Sequence, residues 1–199
     1  MELIPRPAQT PSDISAAMLE RAETLPGGKD PRIRWILGSA EDAAFDPPYA
    51  LAIAGDALHW MTWETVIPRV QEALAADAFL AIVTAVAVTP PWFLELQDVI
   101  RRYSVMQNFE PYSLVDELQK RHLFEAVGDE TVGPEPFPRS VAEYIDALHA
   151  TSGFPRERMG ADDARLFDDA VQTLVAPFAN AGVLELGGSA QVIWGRSLG

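Results

Sequence analysis

Apolar residues near the start of the chain are arranged in two ways, as helical repeats and as continuous runs, and the two arrangements alternate along the sequence. Between Ile14 and Leu25 they recur every three to four residues, which predicts an amphipathic helix with Ser12 as its N-cap. Three runs follow: one rich in β-forming residues at 32–38, and continuous apolar runs at 49–56 and 78–88. Runs of this kind are typical of strands that are buried on both faces. A helical repeat separates the second run from the third, through Val66, Val70 and Leu74. The alternation predicts a β–α–β unit and an α/β fold.

The pattern after residue 88 is mainly helical. Helical spacing of apolar residues predicts four helices, at 89–104, 111–124, 140–151 and 161–182. In the third of these, Ser140 and Glu143 have the spacing of a capping box. Strands are predicted at 123–132 and 183–195. Residues 1–12 carry three prolines and no periodicity, which predicts an irregular arm with a short edge strand at 2–4. A single α/β domain at 13–199 would follow the arm.

Composition and motifs exclude several classes of function. The net charge of −14 opposes binding to nucleic acid, and no basic run offsets it. The chain has no cysteine and no His/Asp/Glu set with metal-ligand spacing, so we expect no metal site. The longest apolar run, 78–88, is too short to span a bilayer, and no signal peptide precedes it. We therefore expect a cytoplasmic protein without a membrane or nucleic-acid partner.

Three ordered stretches carry a family resemblance. They are "DISAAMLERA", "GSAEDAAFDPPYALAIAGDALHWMTW" and "PRVQEALAADAFLAIV". Their order and spacing resemble those of class I S-adenosylmethionine-dependent methyltransferases of the small-molecule type, from residue 13 to about 194. The late stretch "SVAEYIDALHATS" resembles part of the substrate-side segment of such enzymes, here about 89–160. The resemblance implies a Rossmann-like, mainly parallel sheet with helices on both faces. It also implies S-adenosylmethionine as cofactor, at the carboxyl ends of the first strands, and a small-molecule acceptor.

The resemblance assigns roles to residues that follow the predicted strands. Asp13 matches the acidic residue that holds the ribose hydroxyls, although a helix-dipole or capping role at a helix start explains it without any cofactor. The adenine-side loop matches Ser39, Ala40 and Glu41, and a solvated loop is the alternative reading. Asp56 and the residues after it match the loop beside the methionine part of the cofactor and the acceptor.

Four aromatic or imidazole side chains are candidates for contact with the acceptor. His59 is the predicted catalytic base or acceptor orienter, and Trp60 beside it is a predicted substrate contact. The alternative is that His59 caps a strand end and Trp60 packs in the core. Trp92 opens an aromatic-rich stretch that either lines the acceptor pocket or packs helices onto the sheet. His149 lies in the substrate-side segment and is also a predicted substrate contact.

The first strand, the glycine-rich cofactor loop and the second strand of the family have no counterpart in the sequence. The only glycines before residue 38 are Gly27 and Gly28. We therefore expect an incomplete sheet with an open edge at 51–54, because the family places strand one between strands two and four. Direct pairing of 32–38 with 49–56, pairing of the segment 2–4, or a homodimer would cover that edge. Two functions follow: methyl transfer to a small molecule, or an inactive, truncated domain that acts as a dimeric or binding module.

Overall fold

A computed structural model describes residues 8–106, 112–151 and 153–199. Its strands are β1 (Ser12–Asp13), β2 (Ile36–Leu37), β3 (Tyr49–Gly55), β4 (Leu74–Ala87), β5 (Phe124–Ser140) and β6 (Val183–Ser197). Its α-helices are α1 (Ala16–Glu23), α2 (Trp63–Ala73), α3 (Phe93–Tyr103), α4 (Leu114–Lys120), α5 (Val141–His149), α6 (Arg156–Met159) and α7 (Ala161–Val175). Two 3-10 turns lie at Leu58–Trp60 and Ala176–Phe178. The edge strand predicted at 2–4 lies outside the described residues.

The strands form a four-stranded sheet in the order β3-β4-β6-β5 and a separate two-stranded sheet of β1 and β2. Strand β3 runs parallel to β4, with Leu51 opposite Phe79 and Gly55 opposite Val83. Helix α2 joins these two strands, so the predicted β–α–β unit is confirmed. The α/β fold class is confirmed with it.

The N-terminal segment differs from the prediction. Ser12 is a strand residue opposite Ile36, and the N-cap of α1 is Ser15, whose hydroxyl accepts from the amide of Met18 at 3.3 Å. Gln9 also bridges to Ile33, so residues 9–12 are not an irregular arm. Pro11 contributes only its carbonyl, which accepts from the Ile36 amide at 2.9 Å. A proline is tolerated there because β1 lies at the edge of its sheet.

The edges of the two sheets correct two further expectations. Direct pairing of 32–38 with 49–56 is wrong, because β2 pairs with β1 and β3 pairs with β4. The sequence predicts no counterpart of the second family strand, but a two-residue strand, β1, lies at Ser12–Asp13 and pairs with β2. Among the residues that the structure describes, no strand pairs with the other edge of β1 or of β3. Closure of these edges by a second copy stays a prediction.

Most later elements lie where the pattern predicts them. The capping box of α5 is present: the Ser140 hydroxyl accepts from the Glu143 amide at 3.2 Å, and the Glu143 carboxylate accepts from the Ser140 amide at 2.8 Å. Several predicted bounds are wrong. Leu74 begins β4 instead of continuing α2, α4 ends at Lys120 instead of residue 124, and α7 ends at Val175 instead of residue 182. Strand β5 continues to Ser140 instead of ending at residue 132.

The chain divides into two compact units. Unit 1 comprises Met1–Val83, Ser113–Asp129 and Ile193–Gly199, and unit 2 comprises Thr84–Tyr112 and Glu130–Val192. The buried core of unit 1 is Leu58, Val66, Ile67, Leu80, Ile82, Leu118 and Phe124. That of unit 2 is Trp92, Leu96, Ile145, Phe154, Met159, Ala164, Phe167, Val171, Val175 and Leu184. The single domain predicted at 13–199 stays a prediction. In the described part of the chain, no helix has both the length and the apolar character that a membrane span requires.

Candidate functional site

The carboxyl ends of three strands in unit 1 carry most of the predicted site residues. Strand β1 ends at Asp13, β2 is followed by the loop 38–44, and β3 is followed by the loop 56–62. Because β1 and β2 are parallel, their carboxyl ends lie side by side: the backbone carbonyl of Asp13 accepts from the Gly38 amide at 2.9 Å. Ligand sites in α/β sheets form at such ends.

Asp13 is half-buried, and its carboxylate already has a protein partner. Oδ1 accepts from the backbone amide of Ser15 at 2.7 Å, one residue before α1 begins. This contact fixes the entry into α1, as the capping alternative expects. A carboxylate has about four acceptor positions on its two oxygens, so the bond to Ser15 is compatible with a ribose hydroxyl as a second donor.

The loop after β2 is fastened to α2. Glu41 Oε1 accepts from the Thr62 amide at 2.9 Å, and this backbone bond holds the pKa of Glu41 below its usual value. Arg69 donates from Nη2 to the Ala43 carbonyl at 2.6 Å and from Nε to the Ala40 carbonyl at 3.4 Å. Ser39 contacts Asp42 within the loop, at 3.2 Å. The loops after β2 and β3 are therefore held together through Glu41 and Thr62.

The loop after β3 turns its two aromatic rings outward. Asp56 has a φ of 43°, in the left-handed region, and its amide donates to the Val83 carbonyl at 2.9 Å. Leu58 is buried and anchors the turn, while His59 and Trp60 are exposed, Trp60 to 70%. Their ring centroids lie 4.9 Å apart. The alternative in which Trp60 packs in the core therefore does not describe this structure.

The two remaining candidates belong to unit 2. Trp92 is buried in the core of that unit, and its indole Nε1 donates to the Tyr144 hydroxyl at 3.1 Å. Burial raises the pKa of Tyr144, and the bond from Trp92 opposes the rise. His149 is also buried, and both of its ring nitrogens contact protein oxygens. Both side chains thus have structural partners within their own unit.

The described residues fit the nucleoside half of S-adenosylmethionine better than the methionine half. Asp13 and Glu41 supply acceptors for hydroxyl and amino groups at the ends of β1 and β2. Gly27 and Gly28 serve the end of α1, because a Cβ on Gly28 would lie 2.1 Å from the Ala22 carbonyl oxygen. They therefore do not provide the close backbone approach of a glycine-rich cofactor loop.

Sequence reasoning did not single out the residues that hold these candidates in place. Glu41 is held by Thr62, and the 40–43 loop is held by Arg69. Trp92 is held by Tyr144, and His149 is held by Asp168. Each contact joins residues at least 19 positions apart, so no local sequence motif predicts it. In the described part of the chain, no three His, Asp or Glu side chains form a group that could hold a metal ion.

Among the solved structures similar to this chain are two methyltransferase-like proteins. One is a candidate type II methyltransferase from Anaeromyxobacter dehalogenans, with a TM-score of 0.59 and 20% identity over 95% of this chain and 80% of that chain. The other is a candidate methyltransferase from Bacillus halodurans C-125, with a TM-score of 0.53 and 13% identity over 96% of this chain and 84% of that chain. No family model and no curated protein matches the sequence. The chain therefore has the Rossmann-like methyltransferase fold that its sequence resembles.

Proposed function

We propose that this chain binds S-adenosylmethionine and transfers its methyl group to a small molecule. The shared methyltransferase fold supports the proposal. The observation that carries it is the joining of the candidate loops at the strand ends, through the Asp13–Gly38 and Glu41–Thr62 hydrogen bonds. Hydrogen-bond acceptors at these strand ends support a nucleoside site, because ligands of α/β folds bind at the carboxyl ends of parallel strands.

Each candidate residue has a distinct role in this proposal. The carboxylate of Asp13 accepts from the ribose hydroxyls, and the loop Ser39–Ala40–Glu41 borders the adenine. When bound, the cofactor would supply an electrophilic methyl carbon: a bond from the acceptor atom to this carbon would form as the carbon–sulfur bond breaks, and S-adenosylhomocysteine would leave. Exposed His59 orients the acceptor or takes its proton, and the face of Trp60 provides an apolar wall. Catalysis then rests on positioning two reactants in line.

Calorimetric titration with S-adenosylhomocysteine tests the proposal without knowledge of the acceptor. We expect a dissociation constant in the micromolar range. Replacing Glu41 with alanine frees the Thr62 amide and loosens the adenine-side loop, so affinity should fall by about tenfold. Glu72→Ala is the matched control, because Glu72 is an exposed acid on α2 outside the site. Absence of heat at millimolar ligand would overturn the proposal.

A second candidate function is a non-catalytic, dimeric binding module. The observation that favours it is β3, whose side chains alternate between the unit 1 core and an uncovered face. Ala52 and Ala54 pack against the core, whereas Leu51 and Ile53 are exposed to 49% and 65%. Parallel strands are normally covered on both faces. This strand therefore offers a second copy an apolar surface and an edge that no described strand pairs with.

The mass of the chain in solution tests this second function. A dimer would have twice the 21.8 kDa mass of one chain. Ile53→Lys should dissociate it, because the new charge would lie in the apolar contact. Leu94→Lys is the control, since Leu94 is at least as exposed as Ile53 but belongs to α3. A monomer at all concentrations would exclude the dimeric module.

A further inference from the structure

Arg69 of helix α2 holds the loop after β2 through three contacts. Its Nη2 donates to the Ala43 carbonyl at 2.6 Å, and its Nε donates to the Ala40 carbonyl at 3.4 Å. The guanidinium carbon also lies 5.6 Å from the ring centroid of Phe45, which follows the loop closely in sequence. A planar guanidinium with several N–H groups can make these contacts at once, whereas the single ammonium group of lysine cannot.

The two carbonyls belong to a tight turn at 39–43. The amides of Asp42 and Ala43 both donate to the Ser39 carbonyl, at 3.2 and 2.9 Å. Only 3% of the surface of Ala43 is exposed, so water has little access to its carbonyl. A buried carbonyl that loses its donor is costly, and the turn would have to open before water could reach it. Arg69 therefore stabilises the closed turn from the side of α2.

A second arginine contacts the same loop and provides an internal comparison. Arg34, two residues before β2, donates from Nη2 to the Ala44 carbonyl at 3.1 Å. Arg34 and Ala44 are both exposed, so water can replace this hydrogen bond. The two arginines carry the same charge but differ in the carbonyl that they hold, which is buried for Arg69 and exposed for Arg34.

We infer that Arg69 is a positioning residue for the nucleoside half of the cofactor, an inference that rests on the proposed function. It acts through the loop Ser39–Ala40–Glu41, which borders the adenine in that proposal. The Glu41 carboxylate fastens this loop to Thr62, and Arg69 fastens the carbonyls of the turn, so the loop is ordered before a ligand arrives. A loop that is ordered in advance loses less conformational entropy on binding, which raises affinity.

Amide hydrogen exchange of the intact chain without ligand tests the loop contact. In Arg69→Met the amides of Asp42 and Ala43 should exchange about tenfold faster, because the turn that protects them opens more often. The amide of Leu80, in the unit 1 core, should keep its rate if the variant is folded. Arg34→Met is the matched control and should change the exchange of the turn by less than about twofold. Unchanged exchange of the turn in Arg69→Met would overturn the inference.

Arg69→Lys separates the shape of the side chain from its charge. Lysine keeps the positive charge but lacks the planar group, so the turn at 39–43 should exchange nearly as fast as in Arg69→Met. This variant also serves as the test if Arg69→Met does not fold. Exchange of the turn at the rate of the unaltered chain would overturn the inference, because a charge alone would then be sufficient.

Calorimetric titration with S-adenosylhomocysteine and with adenosine tests the consequence for the ligand. Both dissociation constants should rise by about tenfold in Arg69→Met, since both molecules carry the adenine that the loop borders. They should change by less than about twofold in Arg34→Met. Faster exchange of the turn with unchanged affinity would overturn the positioning role. If the unaltered chain binds neither molecule, the proposed function is overturned and the positioning role with it, whereas the exchange experiment judges the Arg69 contact separately.

Discussion

Helices α1 and α7 have the same kind of amphipathic sequence but opposite burial. On α7 the apolar stripe is covered: Phe167, Val171 and Val175 have no exposed surface. On α1 no residue is buried, and Met18 remains 59% exposed. Periodicity thus identifies which face of a helix is apolar, but it does not show whether another element covers that face.

The two helices also differ in the apolar residues that surround them. Helix α7 belongs to the large apolar cluster of unit 2, which includes Trp92, Ile145 and Leu184. Helix α1 belongs to unit 1, where Leu51 and Ile53 are exposed on β3 and Leu37 is exposed at the end of β2. A further element or a second copy that covered these apolar side chains would remove them from water.

The largest expected effect is on the buried stripe of α7. Phe167→Ala should lower the free energy of unfolding by about 3–5 kcal/mol, because it leaves a cavity beneath the Phe154 ring that stacks on it. Urea denaturation measures the change. Leu166→Ala on the same helix is the control and should change stability by less than about 1 kcal/mol, since Leu166 is 42% exposed. Equal losses in both variants would contradict the burial contrast within α7.

The next effect concerns the polar contacts of the same helix. Asp168→Asn replaces the charged acceptor shared by His149 and Arg156 with a neutral amide, and should cost about 1–2 kcal/mol because hydrogen bonds to a charged group are the stronger ones. Asp169→Asn is the control, because Asp169 is exposed and lies 3.7 Å from Arg165. It should change stability by less than about 0.5 kcal/mol. A control loss as large as that of Asp168→Asn would mean that general charge, not the buried contact, is responsible.

The Asp168 contact also predicts the direction in which the free energy of unfolding changes in acid. Its pKa is lowered in the folded state, as burial is outweighed by the hydrogen bonds from His149 and Arg156. Its contribution to stability is therefore present above the unfolded pKa of about 3.9 and is lost as pH falls through the lowered folded value. Asp168→Asn should lack this part of the acid dependence.

Features set by local chemistry could be predicted from the sequence. The capping box at Ser140 and Glu143 depends on residues three apart, and the strand β3 depends on one apolar run. The N-cap of α1 could not be predicted in the same way. Ser12 and Ser15 are both suitable cap residues, and pairing of Ser12 with Ile36 across the sheet decides between them.

In the candidate site, too, the positions of the loops could be predicted from local sequence, whereas their long-range contacts could not. The resemblance located the loops after β1, β2 and β3, and the parallel strand ends follow from the fold. The partners of those loops could not be predicted, because Glu41 meets Thr62 and His149 meets Asp168 only after the chain has folded. The exposure of Trp60 could not be predicted either, since an aromatic residue that follows a strand is expected to pack in the core.

A smaller effect is expected at the start of α5. Ser140→Ala removes the hydroxyl that accepts from the Glu143 amide and should cost about 1 kcal/mol, measured by urea denaturation. Ser140→Asp restores an acceptor near the positive end of the helix and should recover most of the loss. If alanine and aspartate are equally destabilising, the cap does not contribute as its geometry indicates.

The smallest effect is expected on α1. Its size tests whether the apolar face of α1 is uncovered in solution, unlike that of α7. Met18→Ala should change the free energy of unfolding by less than about 0.5 kcal/mol, because the side chain is already mostly in water. Urea denaturation at low protein concentration measures it, with Phe167→Ala as the reference for a covered stripe. A loss of about 2 kcal/mol or more would show that something covers α1 in solution. If that loss vanished on dilution, a second copy would be the cover, because only binding depends on concentration.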